Sequence, residues 1–158
     1  MKIRVGHGID AHRFVKGRPL ILGGIEIPFE KGLKGHSDAD VVIHSIIDAL
    51  LGAAALDDIG THFPNTEPQY QNISSGILLK KTLSLIRKHS YHIGNIDVTI
   101  ISQEPKVRPF IPQMRQNISS ILGLPIEKIS IKATTTEKMG FTGRKEGILS
   151  SATALIRK

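Results

Sequence analysis

Residues 36–56 read HSDADVVIHSIIDALLGAAAL. Ser37 followed by Asp40 resembles a capping box, and Val41, Val42, Ile46, Leu50 and Ala54 continue at helical spacing. The spacing predicts a helix over 38–55 that opens at Ser37 and carries His44 on its second turn. His36 precedes the cap, where the free amides of a first helical turn gather positive potential. Asp40 and Asp48, four residues either side of His44, are read either as acceptors that orient its ring or as exposed helix charge.

Upstream, residues 2–14 alternate as a strand does, and within them GHGIDAHRF occupies 6–14. Alternate strand side chains share a face, roughly 6 to 7 Å apart along the chain, so Asp10 and His12 can close on one cation. Gly6 and Gly8 let other groups approach the backbone. A third ligand must come from elsewhere, and His44 is the best placed. One carboxylate and two imidazoles leave a tetrahedral zinc one position short, the mark of a catalytic site. A lone D-x-H, or a lone helical histidine, has an ordinary structural reading, so the two halves count only together. His36 and His44 are eight residues apart, about 12 Å if both were helical, which is too far for one ion. His44 is therefore assigned to the metal and His36 to a substrate phosphate.

Residues 20–28, with Gly23 and Gly24, read as a bulged or turning second strand. Downstream of the first helix, the loop DDIGTHFPNTEPQYQN at 57–72 is longer than a connector needs, and long ordered loops are often functional. A second amphipathic helix is expected over 74–90, a strand over 95–103, a proline-rich turn over 104–113, a helix over 112–122 closed by Gly123, and a strand over 129–135. Residues 147–156 read as a further strand, although SSATALIRK is also helical by propensity. No repeat, linker or low-complexity tract interrupts the chain. The expected fold is α+β, a mixed sheet with helices packed on one face, in one domain spanning 1–158.

Composition bounds the chemistry. The 158-residue chain has no cysteine, which removes disulfides and thiolate metal sites and leaves nitrogen and oxygen ligands. The formal charge of +7 favours anionic partners. Aromatic residues make up 4% and tryptophan is absent, so stacking platforms for bases are scarce, and no nucleic-acid partner is expected. Lys80, Lys81, Arg87 and Lys88 fall along one predicted helix and read as a solvated face. With no stretch of about 18 apolar residues and a first strand starting at once, a soluble cytoplasmic protein without membrane contact is expected.

A second cluster, ATTTEKMGFTGRKEG, occupies 133–147. Its threonines offer hydroxyls and amides, Glu137 a hard carboxylate for magnesium, and Lys138 and Arg144 positive charge, which suits a diphosphate. Threonine runs are also common in strands, and Gly-x-x-Gly in turns. The segment matches neither the Walker pattern nor the dinucleotide fingerprint.

GHGIDAHRF, HSDADVVIH, DALLGAAALDDIGTHFP and ATTTEKMGFTGRKEGI, in that order along the chain, resemble the 2-C-methyl-D-erythritol 2,4-cyclodiphosphate synthase family of the non-mevalonate isoprenoid pathway. The resemblance implies one catalytic Zn2+ per subunit on Asp10, His12 and His44, with Glu137 on Mg2+ or Mn2+. It implies that His36 and Thr135 steady the transition state. Asp58 and Gly60 would contact the ribose, and Ser37 and Ile59 would also bind substrate. Phe63, Pro64, Asn65, Thr66 and Glu67 would meet the methylerythritol phosphate. Ser102, Lys106, Val107, Arg108, Ala133 and Thr134 would enclose cytosine, and Phe141 and Arg144 complete the list. A cytidine diphosphate substrate and a homotrimer, its sheets around a central axis, are likewise implied. The chain departs from the family's FPDTD at Asn65 and Glu67, and from its usual cytosine loop at Ser102 and Arg108. A zinc hydrolase is the rival reading, with Asp58 as its only appealing general base.

Overall fold

The computed structural model describes residues 1–158. Strand β1 (Ile3–Val15) pairs antiparallel with β7 (Gly147–Arg157), which pairs antiparallel with β5 (His92–Ile101). Parallel pairing of β5 with β6 (Ile129–Thr134) and a short β4 (Gly32–Leu33) on β1 complete a mixed sheet in the order β4-β1-β7-β5-β6. A hairpin of β2 (Leu20–Leu22) and β3 (Ile25–Ile27) stands apart from it. Thus residues 20–28 form two strands and not one, because Gly23 and Gly24 both take positive φ, 60° and 75°, and turn the chain back.

Helix α1 (Val41–Ala54) is buried on nearly every side, as expected of an apolar helix enclosed between layers. It lies on β1 and β7, and α3 (Ser75–Lys88) packs over it, with α4 (Ile111–Leu122) beside α3. The α+β architecture with helices on one face of a mixed sheet is as the sequence predicts. Residues 147–157 are strand, and their alternating burial, against a helical reading, shows why: Ile148, Ser150, Ala152, Ala154 and Ile156 all face the core.

The start of α1 differs from expectation. Asp40, not Ser37, is the N-cap, its carboxylate accepting from the amides of Val42 and Ile43, so His44 lies on the first turn. The same carboxylate also accepts from Gly23 and Gly24 in the hairpin turn, which holds β2 and β3 to the helix start. Three candidate caps stand within HSDAD, and tertiary contact selects the one the hairpin can reach.

Gly6 and Gly8 explain the closeness of helix and sheet. A Cβ on Gly6 would collide with the backbone of Ala49 and Ala53, and one on Gly8 with the backbone of Ser45 and Ala49. Ser45, Ala49 and Ala53 are spaced four apart on one helix stripe, so α1 runs along the glycine side of β1. Asp10 and His12 continue that strand face, and the first turn of α1 comes to rest above them.

The opposite face of the sheet carries no helix. Ile3, Val5 and Ile9 expose 51%, 64% and 56% of their surfaces there, an apolar strip along β1. No helix of the chain is long and apolar enough to cross a membrane.

Candidate active site

Strand alternation and the seat of α1 bring Asp10, His12 and His44 together, with ligand-capable atoms within 4.8 Å of one another. Asp10 Oδ2 lies 3.1 Å from His12 Nε2 and 3.0 Å from His44 Nδ1. The opposite nitrogen of each ring is occupied. His12 Nδ1 donates to the Lys34 carbonyl at 2.6 Å, and His44 Nε2 lies 2.8 Å from Ser75 Oγ and 3.1 Å from Ser37 Oγ. Both imidazoles are thus braced from behind and turn one nitrogen toward the carboxylate, as metal-ligating histidines do. One hard oxygen and two imidazole nitrogens fit a divalent cation such as zinc.

Burial pushes the Asp10 carboxyl up, but hydrogen bonds to His12 and His44 outweigh it and bring it down to about 2. The Asp10 bond raises His12 above its ordinary 6.5, against the effect of burial. Asp10 and His12 hold opposite charges readily, and a cation would take the place of the ring protons.

The three residues line a cavity of about 220 Å³ with His36, Ser37, Ile59, Gly60, Phe63 and Asn65. His36 Nε2 is buried there without a hydrogen-bond partner. A buried polar nitrogen without a partner costs free energy, and an incoming acceptor or donor would relieve it. Arg18 clamps the backbone on both sides of this residue, donating to the carbonyls of Gly35 and Ser37 at 2.5 Å each. The Val42 and Ile43 amides in the first turn of α1 are taken by the Asp40 carboxylate and are not free to serve a ligand beside His36.

Asp40 and Asp48 do not orient His44. The carboxyl of Asp40 is fully buried in its cap, and Asp48 accepts from the Ile59 amide at 2.8 Å. Asp48 thereby ties α2 (Ile59–His62) to α1, so the long 57–72 segment contains a helix, followed by a 3-10 turn at Pro68–Tyr70. Asp58 caps α2 and is exposed, and its bonds to Thr61 lower its pKa.

A second cavity, of about 250 Å³, gathers Ser102, Lys106, Val107, Arg108, Ala133, Thr134 and Thr135, with Gln103 and Pro105. The chain therefore separates Thr135 from His36. Glu137 lines neither cavity, nor do Asp58, Pro64, Thr66 and Glu67, which share the 57–72 segment with Phe63 and Asn65. Glu137 stands exposed at φ 53°, its amide bonded to Thr135 Oγ1 at 3.2 Å. Arg144 pairs with Glu146 at 3.0 Å, and Phe141 lines a further cavity with His12 and Glu146. No spacing or motif in the sequence marks Arg18, Ser75, Gln103 or Tyr70, which the fold brings to the two cavities and their surroundings. Arg18 acts on carbonyls, which leave no trace in side-chain patterns.

Fold and site together define a class: the chain belongs to the YgbB family, whose family model matches residues 3–157. A 2-C-methyl-D-erythritol 2,4-cyclodiphosphate synthase from Bacteroides thetaiotaomicron is 58% identical over 158 residues, covering 100% of this chain and 99% of that one. Among solved structures, the bifunctional IspDF of Campylobacter jejuni superposes with a TM-score of 0.95 at 43% identity, over 98% of this chain and 42% of that longer one. The IspF of Plasmodium falciparum, in complex with CDP, gives 0.85 at 38% identity, over 98% and 95% of the two chains. The resemblance carried by the four sequence motifs is thereby borne out along the whole chain.

Proposed function

We propose that the chain converts 4-diphosphocytidyl-2-C-methyl-D-erythritol 2-phosphate to 2-C-methyl-D-erythritol 2,4-cyclodiphosphate and CMP, as a soluble cytoplasmic enzyme of the non-mevalonate pathway. The observation that carries this is the convergence of Asp10, His12 and His44 in one cavity with the partnerless Nε2 of His36. In the reaction an oxygen of the substrate's 2-phosphate attacks the β-phosphorus, and the bond from that phosphorus to the bridging oxygen breaks, releasing CMP. No protein nucleophile is required: the chain has no cysteine, and the Ser37 hydroxyl, 3.1 Å from His44 Nε2, stands behind a ring whose other nitrogen faces Asp10.

Zn2+ held by Asp10, His12 and His44, and Mg2+ or Mn2+ held by Glu137, would supply Lewis acidity and offset phosphate charge. The remaining work is positioning, which intramolecular reactions reward strongly. His36 Nε2 meets a phosphate oxygen, with Arg18 holding its backbone, and the Thr135 hydroxyl meets the diphosphate from the other side. Ser37, Ile59, Gly60, Phe63 and Asn65 shape the sugar and polyol end, assisted by Asp58, Pro64, Thr66 and Glu67. The second cavity takes cytosine, with Lys106 and Arg108 adding charge at its rim; a cytidine ligand is supported by the Plasmodium falciparum relative, which is in complex with CDP.

A homotrimer joins the two halves. Separate cavities on one chain, together with the bare apolar strip of Ile3, Val5 and Ile9, favour a site completed between neighbouring copies, sheets facing a central axis. The hydrolase reading is disfavoured by the placing of Asp58, which caps α2 through Thr61 and does not line the cavity of Asp10, His12 and His44.

Turnover of the diphosphocytidyl substrate in 18O-labelled water tests the proposal. Cyclisation yields CMP and a cyclic product without label. Label in either phosphorylated product would make the chain a hydrolase.

A further inference from the structure

The back of His44 has a hydrogen-bond order that only one ring tautomer satisfies. Ser75, fully buried, opens α3 and faces His44 Nε2 at 2.8 Å. Its hydroxyl donates to Asp38 Oδ1, and its amide donates to Asp38 Oδ2 at 2.9 Å. A hydroxyl has a single proton, and an ionised carboxylate only accepts. With that proton committed to Asp38, Ser75 presents lone pairs alone to the imidazole. Nε2 must then carry hydrogen, so a cation that displaces the proton Nδ1 shares with Asp10 at 3.0 Å finds the lone pair of the ring on Nδ1. Ser37 Oγ, 3.1 Å from the same Nε2, accepts from the Ala39 amide and keeps its own proton free, so it suits either tautomer. Discrimination comes from Ser75 and Asp38.

We propose that Ser75 and Asp38 are positioning residues for metal binding: a carboxylate-to-hydroxyl-to-imidazole relay that holds His44 with Nδ1 bare toward the cation. The proposal rests on the reading of Asp10, His12 and His44 as the metal site. It adds two residues that touch neither metal nor substrate. It also gives the join between α1 and α3 a purpose, since Asp38 caps the first amide of α3 while its own amide bonds to the Ile73 carbonyl at 3.2 Å. The metal ligand is thereby tied to the end of the segment that carries Phe63 and Asn65.

The test compares full-length wild type, Ser75→Ala and Asp38→Asn for zinc affinity, by competition with a chromophoric chelator, and for imidazole N–H resonances of the zinc-loaded protein. Asp38→Asn keeps the shape of the carboxylate but offers an NH2, which lets the Ser75 proton swing toward His44. Each variant is expected to lose tenfold to hundredfold in zinc affinity, the range seen when such outer partners are removed. The His44 Nε2–H signal should shift and exchange faster, while the His12 Nδ1–H signal, held by Lys34, stays in place. Affinities within twofold of wild type in both variants, or His12 and His44 signals that move together, would overturn the relay and leave the metal site standing. Failure of wild type to take up zinc would overturn both.

Discussion

Asp10, His12 and His44 can be read from sequence because two of them obey strand alternation and the third sits where the helix lands. What lies behind them cannot. The Lys34 carbonyl, the Ser75 hydroxyl and the guanidinium of Arg18 reach the site through the fold, and none stands at a spacing that marks it. Protonation is the property of these residues most open to measurement. His12 has its pKa raised above 6.5, chiefly by Asp10, so its proton persists to higher pH and competes with the cation. Zinc affinity is expected to weaken already as the pH falls from 8 to 6.5, and by at least about tenfold by pH 5, as chelator competition would read. In the metal-free chain the sign is reversed: the stabilisation from charged His12 is full below 6.5 and is lost as pH rises through its raised value. Affinity that stays flat between pH 8 and 6 would contradict the assignment of His12 as a ligand.

At the level of elements, the decisive fit is α1 against the glycine side of β1. Sequence shows a strand with two glycines and a helix with a small-residue stripe, but not that the two meet. Gly8 faces the backbone of Ser45, next to His44, and of Ala49 a turn further on, so a side chain there lifts the helix from the strand. Gly8→Ala is expected to destabilise the fold by about 1–3 kcal/mol, as overpacking does, and to weaken zinc binding with it. Thermal denaturation and a zinc titration check both effects; an unchanged melting temperature would show that the contact yields. The misplaced start of α1 has the same origin. Ser37 and Asp40 both qualify as caps by local chemistry, and the Gly23–Gly24 hairpin, far off in sequence, recruits Asp40. Once Asp40 caps, Ser37 is free to face His44. The ambiguity at 147–156 likewise yields to context, because a strand between β1 and β5 buries every second residue and a helix there would leave one edge of each of those strands unpaired.

On the scale of the whole molecule, the uncovered side of the sheet is the feature that local patterning hides. Alternation in β1 reads as half-buried, yet Val5 and Ile9 on its outer side are apolar and more than half exposed. A lysine at Ile9 places charge on that strip without touching the helix side. If the proposed trimer forms through this strip, Ile9→Lys is expected to shift the chain to monomer in light scattering, with zinc retained and turnover lost, because the proposed cytosine cavity then has no neighbouring metal site. A monomeric variant that still turns over would place the whole site within one chain.

The account depends most on one cation at the meeting of β1 and α1, within reach of a cytidine nucleotide held by a neighbour. Anomalous scattering at the zinc edge, from crystals grown with CDP, measures both at once. The expected map has one peak per chain, bounded by Asp10 Oδ2, His12 Nε2 and His44 Nδ1, with cytosine in the cavity of Ser102 and Ala133 from an adjacent copy. A zinc-free triad in unchelated protein, or a nucleotide bound away from that cavity, would contradict it.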